Sequence, residues 1–248
     1  MPLTELSLAN VSAGYGGTTV LENVSISVKR GERVGIIGRN GSGKTTTLAA
    51  ALGFAELRSG TVMADRISIG GYRPFRRARL GIGYVPQTRD IFPSLTVQEN
   101  LLAAVGSASR RRLDSAYELF PRLRERRNNK GRELSGGEQQ MLSIARALMN
   151  DLSVLLLDEP LEGLAPIVAD QVMDAIRKLV TEQELACVLV EQHVDTVLDF
   201  CTRVLVLERG SARFFGSVTD LRERPELLES AIGLKKTGGP NASNSESA

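Results

Sequence analysis

The chain has 248 residues, 42% of them hydrophobic, which suits one large domain or a core domain with an inserted lobe. Its net charge of +2 singles out neither nucleic acid nor an acidic surface as partner. No apolar run approaches the ~20 residues that span a bilayer, so any membrane path has to come from other chains. The start lacks the basic end and apolar stretch of a signal peptide, and the chain is expected in the cytoplasm. The two cysteines, Cys187 and Cys201, lie in apolar surroundings without metal-type spacing and read as buried thiols.

Residues 3–37 read as strands, with Val24, Ile26 and Val28 alternating with polar residues. A turn at Lys29 to Glu32 leads to a short apolar strand over 33–37, then a glycine-rich loop, then a helix from Lys44 to about Gly53. A strand is predicted at 81–85 and a helix at 96–104. Residues 107–127 carry Leu113, Tyr117, Phe120 and Leu123 at helical spacing among many arginines. Another helix runs from Ser135 to about Asn150. Strands at 153–157, 186–190 and 203–207 then alternate with helices at 166–183 and 194–200. That alternation argues for a mainly parallel sheet covered by helices. From Thr237 the chain is Gly, Asn, Ser and Pro, and the tail 237–248 is expected to be disordered.

Three motifs carry chemistry. The first is Gly38-Arg39-Asn40-Gly41-Ser42-Gly43-Lys44-Thr45, with Thr46 following, placed between a strand and a helix. Backbone N–H groups of such a loop point at a phosphate and the helix adds its positive end. Lys44 reaches the β- and γ-phosphates and Thr45 is placed to ligate Mg²⁺. The second is the apolar run Val154 to Leu157 closing in Asp158 and Glu159. A strand end in an open parallel sheet is where ligands bind. There Asp158 would hold Mg²⁺ and Glu159 would act as general base on water. The third is Leu134-Ser135-Gly136-Gly137-Glu138. It reads as a capping box and equally as a glycine-lined anion site at a helix start. The glycine loop already supplies one anion site, so a second suggests nucleotide held between two molecules.

These three motifs, in this order and spacing, resemble those of the ATP-binding subunit of an ABC transporter. The resemblance covers about residues 3–234 and implies an α/β fold. It would be a P-loop NTPase core with a mainly parallel sheet, an N-terminal antiparallel β part and an inserted helical lobe at about 88–150, all within one ATP-binding domain over 1–236. It implies ATP and Mg²⁺ as cofactors, and a head-to-tail dimer with a second ATPase subunit. In that dimer Ser135, Gly136, Gly137 and Glu138 of one chain close on the γ-phosphate held by the other. Tyr15 matches the residue that stacks on adenine. Gln87 matches the glutamine that approaches Mg²⁺ and water and links the site to the membrane subunits. The family's γ-phosphate histidine has no straightforward counterpart, because the only histidine is His193. Counting back from Arg203 puts Gln192 at that position and His193 one residue late, so Gln192 is the first choice and His193 the second. The loop Pro160 to Pro166 also departs, holding Leu161 and Ala165 where serine and aspartate are usual.

The strings Tyr117 to Leu123, Gly136 to Leu142, Glu162 to Pro166 and Val190 to Gln192 are similar to those of ATP-binding subunits of bacterial branched-chain amino acid importers. That likeness implies two integral-membrane permease subunits and, indirectly, a periplasmic solute-binding protein. It places the chain peripherally on the inner face of the cell membrane. Relatives serving urea or short amides share the strings, and a soluble, non-transport ABC ATPase is the further alternative. Nine basic and three acidic residues fall in 107–132, yet no aromatic stacking pattern accompanies them. That segment, like Arg73, Arg76, Arg77 and Arg79, reads as a solvated face rather than a nucleic-acid surface.

Overall fold

The computed structural model describes residues 2–104 and 110–232. The expected tail at 237–248 lies outside the described residues. Two long strands, β1 (Glu5–Tyr15) and β2 (Thr18–Lys29), pair antiparallel. The glycine loop joins β3 (Arg33–Ile37) to α1 (Lys44–Leu52). β4 (Glu56–Ala64) adds to the free edge of β1, and β5 (Ile67–Ser68) to β4, giving a four-stranded antiparallel sheet in the order β2-β1-β4-β5. The sequence reading assigned no element between residues 54 and 80. Glu56, Arg58, Ser59 and Gly60 break the apolar alternation there, and only Val62 and Ala64 of β4 are buried.

α2 (Pro74–Ala78) and β6 (Ile82–Val85) follow. Between β6 and β7 (Val154–Asp158) lie α3 (Val97–Ala103), α4 (Arg110–Leu119), α5 (Pro121–Glu125) and α6 (Gly136–Ala147). The helical pattern read across 107–127 is two helices, and its first residues, 107–109, lie outside the described ones. The break falls at Phe120, because a residue before proline is pushed out of the helical region. Phe120 takes φ −127° and ψ 79° and buries its ring beside Leu123 in the lobe.

The chain then alternates through α7 (Pro166–Glu182), β8 (Ala186–Val190), α8 (Val194–Phe200) and β9 (Arg203–Glu208). It ends in β10 (Ser211–Ser217), α9 (Val218–Arg222) and α10 (Pro225–Ile232). The second sheet has the order β10-β9-β3-β8-β7-β6, all parallel except for β10. Both its faces are covered, and strand periodicity sorts the side chains. Leu155, Leu157, Cys187 and Leu189 pack toward α6, α7 and α8, whereas Val154, Leu156, Val188 and Val190 pack toward α1 and the antiparallel sheet. The fold class is thus α/β, with a parallel core sheet and an antiparallel N-terminal sheet.

Strand order positions the site. β3, β8, β7 and β6 are consecutive neighbours. Ile36 stands opposite Val190, Val190 opposite Asp158, and Leu157 opposite Val85. The four loops that leave these strand ends therefore start at one level along one edge, where open parallel sheets bind ligands.

Burial overturns one surface assignment. Arg77 is 2% exposed, and its guanidinium donates to the carbonyls of Ala50, Ala51, Gly70 and Tyr72. It satisfies the open carbonyls at the end of α1, so it is not part of a solvated arginine face. Arg73, Arg76 and Arg79 are exposed as read. Both cysteines are buried, and burial pushes the Cys187 thiol up to about 12.

Candidate nucleotide site

The glycine loop needs glycine where its backbone turns. Gly41 and Gly43 take φ 77° and 106°, a region that costs residues with a Cβ. A Cβ on Gly43 would also lie 2.6 Å from Leu21 Cδ2. Gly43 caps α1 with no side-chain hydrogen bond, so the first N–H groups of the helix face the loop. Ser42 Oγ is buried without a hydrogen-bond partner among the described residues. Lys44, 5% exposed, donates to the Gly38 carbonyl at 3.0 Å and pairs with Glu159 Oε1 at 3.4 Å. An orphan hydroxyl, an uncapped helix start and a buried ammonium together fit a phosphate.

Asp158 ends β7 at 1% exposure and accepts from Thr45 Oγ1 at 3.1 Å and from the Tyr84 hydroxyl at 3.2 Å. Burial raises its carboxyl above the ordinary range, and the Thr45 and Tyr84 hydrogen bonds pull it back. The Tyr84 phenol is pushed up by its own burial and by the Asp158 charge. Thr45 and Asp158 thus offer adjacent hard oxygens, a donor set that fits Mg²⁺. Among the described residues no three His, Cys, Asp or Glu side chains converge on a metal, so phosphate oxygens would have to supply further ligands.

Glu159 follows at φ 46° and 6% exposure, its N–H donating to the Val190 carbonyl at 2.9 Å. Its Oε2 accepts from Gln192 Nε2 at 2.6 Å and from Gln87 Nε2 at 3.4 Å. Gln87 also donates to Glu162. Asn40, Thr45, Gln87, Glu159 and Gln192 line one cavity of about 290 Å³ with the glycine loop. Thr46 lines it too, whereas the Arg39 side chain is exposed. His193 does not line that cavity; it is exposed and precedes α8 as its N-cap residue. Tyr15 stands 47% exposed at the end of β1, outside the cavity lining.

The third motif sits elsewhere. Ser135 caps α6, accepting from the Glu138 N–H at 3.3 Å, while Glu138 Oε2 accepts from the Ser135 N–H at 2.9 Å. Burial alone would raise the Glu138 carboxyl, but hydrogen bonds from Ser135 and Arg122 bring it below its usual value. Ser135 and Gly136 are exposed, and none of the four residues lines the phosphate cavity. Gly137 is required within the chain, because a Cβ there would lie 2.4 Å from Val168 Cγ1 on α7. Ala165 leaves α7 with no side-chain cap, and Pro166 opens the helix instead.

Three contributors escaped the sequence reading. Tyr84 and Glu162 are hydrogen-bonded to site residues, and Glu191 accepts from the backbone of both flanking loops. Only their neighbourhood to Gln87, Glu159 and Gln192 in sequence pointed toward them.

Comparison with known proteins places this geometry in context. A family profile described as ABC transporter matches residues 21–162. The chain is 36% identical over 233 residues to a probable branched-chain amino acid transport ATP-binding protein, LivF, of Archaeoglobus fulgidus, covering 92% of this chain and 99% of that one. It is 38% identical over 234 residues to the high-affinity branched-chain amino acid transport ATP-binding protein BraG of Pseudomonas aeruginosa, with 92% and 99% covered. A dimeric bacterial ABC transporter cassette superposes with a TM-score of 0.77 at 29% identity, covering 86% of this chain and 98% of that one.

Proposed function

We propose, from the premise that this chain belongs to the ABC transporter family, that it is the ATP-hydrolysing subunit of an importer of branched-chain amino acids. The observation that carries the activity is the convergence of Lys44, Glu159, Gln87 and Gln192 on one glycine-loop cavity, with Asp158 hydrogen-bonded to Thr45 of its lining. The cargo rests on the two full-length relatives named for branched-chain amino acid transport.

The glycine-loop N–H groups, Ser42 and Lys44 hold the phosphates. Thr45 and Asp158 would hold Mg²⁺, which would supply charge neutralisation on the phosphate oxygens. As Lys44 turns to phosphate it releases Glu159 Oε1, which then takes the proton of the attacking water while the bond from the γ-phosphorus to the bridging oxygen breaks and ADP and inorganic phosphate leave. Gln192 and Gln87 orient that carboxylate and the water. Ser135 and Gly137 of a second ATPase subunit close on the γ-phosphate. No helix among the described residues is long and apolar enough to cross a membrane, so separate permease subunits supply the path.

The permeases would dock in a groove of about 600 Å³ that includes Phe54, Phe75, Tyr84, Pro86 and Arg146. Phe54 and Phe75 are 57% and 52% exposed, an apolar surface suited to a partner helix. The groove reaches Arg89 and Asp90, two and three residues after Gln87, so closure of the ATPase pair pulls on the permeases through that loop. A periplasmic binding protein delivers the cargo, and the assembly sits on the inner face of the membrane.

Uptake of labelled leucine tests this in cells lacking the gene, complemented with wild type or Glu159→Gln. Rescue by wild type alone, competed by isoleucine and valine but not by urea, is the expected result. With redundant importers deleted, equal uptake by wild-type and empty cells would remove the cargo assignment and make urea or amides the next candidates.

A further inference from the structure

Glu191 has no part in the chemistry set out above, yet it is 2% exposed and sits against the catalytic turn. Its Oε1 accepts from the Leu161 N–H at 3.0 Å, and its Oε2 accepts from the Gln192 N–H at 3.2 Å. Leu161 belongs to the turn that opens after Asp158, which closes when the Glu162 N–H donates to the Glu159 carbonyl at 3.2 Å. Within that turn Glu159 holds φ 46°. A left-handed backbone costs a non-glycine residue on the order of 1–2 kcal/mol and persists only where its surroundings over-determine it.

Two bonds from outside the turn hold the N–H groups of Glu159 and Leu161. One is the Glu159 N–H to the Val190 carbonyl at 2.9 Å, and the other is the Leu161 N–H to Glu191. The same carboxylate grips the backbone of Gln192, whose side chain donates to Glu159 at 2.6 Å. One buried group therefore ties together both segments that aim Glu159. An ionised carboxylate has acceptors only, which matches a site where each oxygen faces an N–H. Burial, with the negative Glu159 and Glu162 nearby, pushes Glu191 up to about 7, while its two N–H partners pull it back. A carboxyl in such surroundings is costly, and a neutral amide of the same shape would lack the second acceptor.

We infer that Glu191 is a positioning residue for hydrolysis: its carboxylate locks the Glu159 turn and Gln192 in register, so that Glu159 meets the attacking water in a fixed geometry. This rests on the ATPase reading above.

The test uses the full chain, with steady-state ATP turnover, ATP binding by calorimetry and thermal unfolding. Wild type, Glu159→Gln, Glu191→Gln and Glu191→Asp are compared. Glu191→Gln keeps shape and volume but sets an amide NH₂ against one backbone N–H. Its kcat is expected to fall about 10- to 100-fold, the scale of a small misplacement of a catalytic group. Its ATP affinity should stay within about threefold, because the phosphate cradle is untouched, and its melting temperature should fall by only a few degrees, because one backbone hydrogen bond is lost while a costly buried carboxyl is removed. Glu191→Asp keeps both acceptor oxygens and should fall between Glu191→Gln and wild type. That intermediate kcat at unchanged ATP affinity is also the deciding result if Glu191→Gln does not fold.

Wild-type turnover by Glu191→Gln overturns the inference, as does loss of affinity and melting temperature in parallel with kcat. Glu191→Asp no faster than Glu191→Gln, or indistinguishable from wild type, overturns it as well. If wild type itself does not hydrolyse ATP, the ATPase reading falls and the inference goes with it. If wild type turns over, Glu159→Gln does not, and Glu191→Gln is normal, only the inference falls.

Discussion

The two proposed anion-binding ends of this chain are built in opposite ways. Lys44, Asp158 and Glu159 are 5%, 1% and 6% exposed; Lys44 pairs with Glu159, Asp158 accepts from Thr45, and Glu159 accepts from Gln87 and Gln192. Ser135 and Gly136 stand in the open, with Ser135 and Glu138 capping their own helix start and Glu138 also accepting from Arg122. The first end is assembled inside one chain. The second is an exposed helix start with the Arg89 guanidinium beside it, its Nη1 3.2 Å from where a Cβ on Gly136 would lie. Groups that hold charge through a reaction gain from being buried and paired, whereas groups that must approach and withdraw from a partner's phosphate have to remain exposed. Under the proposed function, that contrast accounts for two phosphate motifs of which, among the described residues, only the glycine loop lines the cavity.

The largest effect should come from blocking the open end. Ser135→Glu sets a negative charge where the partner's γ-phosphate would arrive. Turnover should fall about 100-fold, in line with loss of an oxyanion donor, while ATP binding to the single chain stays within about threefold. The lost cap should cost about 1 kcal/mol in unfolding experiments. Nucleotide affinity falling with turnover would mean that the two ends are not separate.

A smaller effect sharpens the built end. Gln192→Ala removes the donor to Glu159 and should slow turnover about tenfold, the scale of one hydrogen bond to a charged group. His193→Ala should stay within about twofold, because that side chain is outside the cavity lining. The reverse order in a turnover assay would move the γ-phosphate role to His193.

The remaining effect is on stability and leaves turnover aside. Glu191 titrates at about 7 in the folded chain against 4.5 for the ordinary group. Between those values the native state binds more protons than the unfolded chain, so stability falls as pH rises through that window. Denaturant unfolding at pH 5 and pH 8 should show a decline, of order 3 kcal/mol at most, that is absent in Glu191→Gln. Equal slopes in the two proteins would separate Glu191 from the pH dependence.

Legibility in the sequence followed contiguity. The glycine loop is eight consecutive residues and β7 is an unbroken apolar run closing in Asp158, so backbone chemistry alone marks both. β4 was missed because most of its residues face water and Gly60 interrupts it. Arg77 was read as solvated because arginine is rarely buried. Its guanidinium is satisfied only by carbonyls brought from α1 and from residues 70–72. Glu191 was passed over because Leu161 lies 30 residues away in the chain.

Residue order by itself determined the α/β alternation, the glycine loop, the acidic strand end and the capped start of α6, since each depends on side chains within one turn or one strand. Tertiary structure decided which of these meet. The strand order β3-β8-β7-β6 sets four loop ends side by side and so brings Glu159, Gln192 and Gln87 onto one cavity. It leaves Ser135 and Gly136 outside that cavity, because α6 starts at the end of a lobe that departs from the sheet after β6 and returns at β7.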